Sequence, residues 1–140
     1  MPFINVKVAG PPLDHDQISC IQGRMTALTA SVLRKQVAQT TVLVEQVSVA
    51  GWSVGAEPVD VAAKVDAIVS AGTNTPEEKA RFIAEVNNVL RAVLGSDLPN
   101  ATHVIIHDVP EESWGYGGLA QVHGARNTNP QHRPIAPRAS

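Results

Sequence analysis

Proline at position 2, directly behind the initiator methionine, carries the most distinctive chemistry in this 140-residue chain. Methionine is readily removed ahead of proline, and its loss would leave a secondary amine at the start of the chain. A free α-amino group has a pKa of about 7.7 to 8.0, and an apolar pocket disfavours its charged form, moving the value toward neutrality. An amine so placed can take or give a proton near working pH, which contributes about 10²- to 10⁴-fold in general acid–base catalysis. A Met-Pro start is common by itself, so its surroundings decide what it means. Other reactive side chains are sparse. Cys20 is the sole cysteine, which excludes an internal disulfide or a Cys-based zinc cluster and reads as a small apolar helix residue. His103 and His107 share strand parity, but four residues along a strand span roughly 13 Å, too far for one ion. No metal is expected, and with no Gly-rich phosphate loop or dinucleotide fingerprint, no cofactor either.

The elements that must position Pro2 follow from pattern. Phe3-Ile4-Asn5-Val6-Lys7-Val8 has strand composition, and Gly10-Pro11-Pro12 ends it. Asp14 with Gln17 forms a capping box, and Ile18, Ile21, Met25, Leu28 and Val32 make one apolar face, so a helix is expected from about Asp14 to Lys35. Thr40-Thr41-Val42-Leu43-Val44 reads as a second strand. A second helix starts at Thr75 as N-cap with Pro76 at its first position and Glu78 closing the box, and ends before Gly95. Its stripe is Phe82, Ile83, Val86, Val89, Leu90, Val93 and Leu94. Strands over Lys64 to Ser70 and His103 to Val109 flank it.

The two halves repeat. Val47, Trp52 and Gly55 recur 62 residues later as Val109, Trp114 and Gly117, and the same offset pairs Gly10 with Gly72, which indicates a duplicated β-α-β unit. Within each unit the helix crossing implies parallel strands with a right-handed connection. The expected fold class is α+β: tandem β-α-β repeats forming a four-stranded sheet with both helices on one face. One domain over residues 1–123 is expected, with repeats at about 2–56 and 64–122, a Pro58-containing linker between them, and a tail at 124–140. Val42-Leu43-Val44 and Val104-Ile105-Ile106 are apolar at successive positions, so burial on both sheet faces, and hence an oligomer, is expected.

Composition narrows the partners. A hydrophobic content of 44% at this length supports one real core. A net charge of -2 offers no footprint for a phosphate backbone, so nucleic acid is not an expected partner. No apolar run approaches the roughly 20 residues of a membrane span, nor does the start carry a basic leader, so a cytoplasmic protein without a membrane partner is expected.

Pro2-Phe3-Ile4 at the start, with Val104-Ile105-Ile106-His107-Asp108-Val109-Pro110 leading to Trp114-Gly115-Tyr116-Gly117-Gly118, resembles the tautomerase superfamily. The resemblance is to the fused, double-length 4-oxalocrotonate tautomerase group, and it covers about residues 2–122. It implies a tautomerase/MIF-like sheet, assembly as a homotrimer, and a cofactor-independent isomerase in which Pro2 moves a proton on a small keto or enol acid. It also implies Trp114 as the aromatic wall of the pocket and Trp52 as its counterpart in the first repeat, with Tyr116 as a further substrate contact; His103, if protonated, could partly stand in for a carboxylate-binding arginine, or be a solvated or hydrogen-bonded side chain opening its strand. The 62-residue offset sets Lys64 opposite Pro2, giving one site per chain.

The sequence departs from the group in its arginines. Pro11 or Thr73 stands at the first carboxylate-binding place and Thr41 or His103 at the second, and threonine offers neither the charge nor the fork of a guanidinium. Arg24, Arg34, Arg81 and Arg91 read as solvent-facing helix charges. Arg126, Arg133 and Arg138 lie in the tail, where one could reach a neighbour's site. Two alternatives therefore stay open: a proline-dependent hydratase, dehalogenase or decarboxylase of a three-carbon acid, and a weakly active trimeric binding relative. Glu111 and Glu112 keep the hydrolytic option open, although both also read as solvated turn residues.

Overall fold

The computed structural model describes residues 1–121, so the tail at 124–140 with its three arginines lies outside them. The chain runs β1 (Phe3–Ala9), α1 (His15–Ser31), β2 (Thr41–Val47), a hairpin of β3 (Ser53–Val54) and β4 (Glu57–Pro58), then β5 (Ala62–Ser70), α2 (Pro76–Leu94), β6 (His103–Val109) and a second hairpin of β7 (Gly115–Tyr116) and β8 (Leu119–Ala120). The segment read as a linker, residues 56–63, carries the second strand of the first hairpin and the start of β5. Four strands form one sheet in the order β2-β1-β5-β6. The pairs β1/β2 and β5/β6 are parallel, as a helical crossover requires, while β1 and β5 meet antiparallel at the centre.

Both helices start as their capping residues dictate. Asp14 accepts from the Gln17 N–H and Thr75 from the Glu78 N–H, and each box is closed by the return bond from the Gln17 or Glu78 side chain. Both helices cover one face of the sheet. Ile21 and Met25 from α1 and Phe82, Val86 and Leu90 from α2 are fully or almost fully buried against Ile4, Val6, Val65, Ala67 and Val69. Ile83, at the margin of the α2 stripe, does not join them and remains 39% exposed. Helix α1 ends at Ser31 rather than running to Lys35, and Arg34 takes a left-handed conformation at φ 60.

The opposite sheet face is bare in the single chain. Its outer strands present Leu43 and Ile105 to solvent. Its centre carries charge: Lys7 pairs with Glu45 at 3.7 Å, Lys64 with Asp66 at 3.3 Å, and His107 Nε2 sits 2.7 Å from Asp66. Burial raises the Asp66 pKa, but hydrogen bonds from His107 and Lys64 outweigh it and hold the carboxyl below its ordinary value.

Registers refine the duplication. Phe3 pairs with Thr41 as Lys64 pairs with His103. Thr41 and His103 are 62 apart, but Phe3 and Lys64 are 61 apart (64 − 3). The second repeat thus gains one residue between its first and second strands, and Ala63, not Lys64, is the structural counterpart of Pro2. Gly10 is fixed where it stands: it lies at φ +140, and a Cβ there would come within 3.2 Å of the Asp60 carbonyl oxygen.

Phe82 has no exposed surface and is the largest side chain joining α2 to the sheet. Phe82→Ala is expected to cost about 3 to 5 kcal/mol, read as a lower urea midpoint with an unchanged slope.

Candidate active site

The antiparallel centre decides what surrounds Pro2. Because Phe3 faces Ile68 across β1/β5, the start of β1 lies at the same sheet edge as the ends of β5 and β6. Pro2 is buried there, one step before Phe3, and its carbonyl accepts the Thr41 N–H at 3.1 Å. Alternation turns Phe3 to the open face and Pro2 to the helix side.

The segment after α1 reaches the same edge. Lys35 donates from Nζ to Thr73 Oγ1 at 2.7 Å, and the Thr73 hydroxyl donates to the Ser70 carbonyl at 2.6 Å. Lys35 is therefore tied to the end of β5, beside the strand that begins at Pro2. Burial first, then the charge of Arg34, push the Lys35 ammonium below its ordinary pKa, against the pull of Glu78 and Asp108. The chain's amine, borne on Met1, is likewise lowered, chiefly by burial and then by the positive charge of Lys35. Two amines thus share one partly desolvated edge, and the Lys35 charge favours the neutral form of the chain's amine.

Arg34 faces solvent as expected, but it is also anchored. Its Nε and Nη2 donate to Glu78 at 2.6 and 3.2 Å, and Nη2 also donates to the Thr73 carbonyl at 3.0 Å. Asn74 Nδ2 donates to the Leu33 carbonyl and to Glu78. These bonds fasten the Lys35 segment to the start of α2. Hydrogen bonds from Arg34, the Thr75 backbone and Asn74 hold the Glu78 carboxyl at about 2. Lys79 makes a separate 2.6 Å pair with Asp108. Arg91, also read as a surface charge, clamps the loop before β6 through the Leu98 carbonyl at 2.7 Å.

The aromatic residues divide between the two edges. Trp114 follows β6 and lies at the Pro2 edge, where its carbonyl accepts the Gln121 N–H at 2.8 Å and the Gln121 side chain accepts from Ser70 Oγ at 3.1 Å. Among the described residues, the buried Gln121 Nε2 finds no partner. Tyr116 is exposed on the hairpin beyond Trp114. Trp52 follows β2 and lies at the opposite edge of its own chain. His103 also stands away from Pro2: it pairs with Lys64, which pairs with Lys7, about 16 Å along the strands and on the open face. Within one chain, then, His103 does not replace the missing arginine, because strand position and parity both carry it away. Among the described residues, no three His, Cys, Asp or Glu side chains gather as a metal ion would need.

The family model for tautomerase enzymes matches residues 64–123. A solved structure of a native fused 4-OT superposes with a TM-score of 0.73 at 25% identity, covering 86% of this chain and 96% of that one. Residues 64–123 thus match the tautomerase family, and the described chain shares the fold of the fused 4-OT structure. A second fused 4-OT, a symmetric trimer, superposes with a TM-score of 0.79 at 19% identity over 89% of this chain and 99% of that one. Pt0534, solved after inactivation by 2-oxo-3-pentynoate, superposes at 0.76 and 13% identity over 86% and 96%. A sequence search of curated proteins finds no match.

Lys35 and Lys79 are the residues at the Pro2 edge that motif reading did not single out. Lys35 could have been found by asking which cation lies between the end of α1 and the start of β2, since that connection must pass the Pro2 edge.

Glu78 gives the anchoring network a pH signature. Its folded pKa of about 2 lies below the ordinary 4.5, so its contribution is fully present above pH 4.5 and is lost as pH falls through about 2. Urea midpoints of the wild type and Glu78→Gln should differ by a constant amount above pH 4.5 and converge below it.

Proposed function

We propose that this chain is a cofactor-independent keto–enol tautomerase acting on a small 2-oxo acid, with Pro2 as the proton-transfer group and Lys35 as the cation for the substrate carboxylate. The observation that carries this reading is the burial of Pro2 at the edge where Lys35 also sits and where desolvation lowers the chain's amine. Removal of Met1 moves that amine one residue inward, onto the Pro2 nitrogen, and uncovers the edge to a ligand.

Burial at this edge lowers the pKa of the amine placed there and so enlarges its neutral share, which suits a base. The neutral nitrogen accepts a proton from one substrate atom, leaving an enolate, and the resulting ammonium returns it to another. No atom or electron is gained overall. Lys35 fixes the carboxylate by a charge-assisted hydrogen bond, and Trp114 supplies an apolar wall beside the reacting carbons. Tyr116 and the partner-facing Trp52 complete the pocket across a homotrimer. A trimer is supported by the symmetric assembly of the fused 4-OT relative and by the uncovered sheet face with Leu43 and Ile105 exposed. Sedimentation should return three times the chain mass.

Pro2→Ala is expected to lower the ketonisation of phenylenolpyruvate by about 10²-fold or more, followed as the loss of enol absorbance. Lys35→Ala should raise KM more than it lowers kcat. Incubation with 2-oxo-3-pentynoate, which inactivates the structural relative, should add one adduct to Pro2 by mass spectrometry. Full turnover in Pro2→Ala rejects the mechanism.

A further inference from the structure

The end of β5 carries a buried polar pair that the proposed function does not use. Ser70 and Gln121 are only 7% and 5% exposed, and the Ser70 hydroxyl donates to Gln121 Oε1 at 3.1 Å. The Gln121 backbone is fixed as well, its N–H donating to the Trp114 carbonyl at 2.8 Å. With Oε1 taken by Ser70, the amide is held with Nε2 turned away from that hydroxyl, and among the described residues this buried donor meets no acceptor. An amide N–H kept from water without a partner costs free energy, which a bound acceptor would recover.

Ser70 sets that donor beside the proposed ligand. Carrying the β1/β5 register of Phe3↔Ile68 back two residues sets Met1 across from Ser70, so loss of Met1 opens the space on that side of it. The Ser70 carbonyl accepts the Thr73 hydroxyl at 2.6 Å, and Thr73 Oγ1 accepts from Lys35 Nζ at 2.7 Å. One residue therefore holds the Lys35 arm through its carbonyl and the Gln121 amide through its hydroxyl.

We infer that Gln121 Nε2 is the hydrogen-bond donor for the 2-oxo oxygen of the ligand whose carboxylate Lys35 takes. The inference deepens the proposed function and rests on it for the class of ligand. A 2-oxo acid carries its carboxylate and its ketone on neighbouring carbons, and Ser70 joins a cation and a neutral donor through a single residue. An uncharged amide suits a ketone oxygen, which becomes negative only as the enolate forms, and a fixed donor there gains strength as that charge develops. Ser70 is a positioning residue: its hydroxyl occupies Oε1, so that Nε2 is the atom presented.

The test uses full-length protein with Met1 removed and two acids that differ only at the 2-oxo group: benzoylformate, which has no hydrogen to lose beside its ketone and so cannot turn over, and phenylacetate. Calorimetry should show the wild type binding benzoylformate about tenfold more tightly, with Gln121→Met and Gln121→Glu each bringing that ratio to about one. Ser70→Ala, which frees the amide to rotate, should lower the ratio while phenylacetate affinity stays as it was, a split that general damage to the fold would not produce. In the ketonisation of phenylenolpyruvate, Gln121→Met should lower kcat by about tenfold and change KM less. Equal affinity for the two acids in the wild type, no binding of benzoylformate, or a preference that survives in the Gln121 variants overturns the inference. If the preference is lost in those variants while Pro2→Ala keeps full turnover, the donor assignment stands and the proline mechanism is what fails.

Discussion

The antiparallel seam between β1 and β5 is the constraint on which the rest of the molecule depends. Each β-α-β unit is internally parallel, so a unit alone separates the start of its first strand from the ends of both helically connected neighbours. Joining two units head to tail at Phe3–Ile68 brings the beginning of one to the finish of the other. That contact assembles Pro2 with Ser70, Thr73 and Asp108, although more than sixty residues of chain intervene. It also puts both helices over the same sheet face, where a shared apolar layer replaces two marginal ones. The hydrophobic core and the chemical edge are consequences of one pairing.

Local signals in the sequence were read well because they are local. The capping boxes at Asp14 and Thr75 and the strand from His103 to Val109 depend on residues within a few positions of one another, and their patterns predict the observed boundaries closely. The end of α1 does not follow from such signals. Nothing between Ser31 and Lys35 is a strong helix breaker, so periodicity carries the helix to Lys35; instead Glu78 and the Thr73 carbonyl, from the other repeat, capture Arg34 and draw the chain into a left-handed turn. A tertiary bond overrides a weak propensity.

The site was legible in its type and less so in its membership. Pro2 and Trp114 could be named from motifs, and the structure places them at one sheet edge. His103 was named by substitution logic, as the residue standing where an arginine was missing, and a strand position says nothing about which sheet face or end it serves. Lys35 belongs to no motif. Its place at the Pro2 edge comes from a tertiary contact, the bond to Thr73, a property that no one-dimensional pattern contains. Arg34 and Arg91 were read as solvent-facing helix charges; Arg34 does face solvent, and the partners of both escaped notice because they lie in distant or irregular segments.

The one-residue slip between the repeats leaves Ala63, fully enclosed and mid-chain, in the place that Pro2 holds in the first repeat. Symmetry of architecture and symmetry of reactivity have therefore parted company. The proposed chemistry requires Pro2 to be the first residue of the mature chain, with a free nitrogen. An affinity tag fused ahead of Pro2, or a circular permutation that moves the chain start elsewhere, would preserve every strand and helix while converting that nitrogen into an ordinary amide. A preparation could then be fully folded and chemically silent.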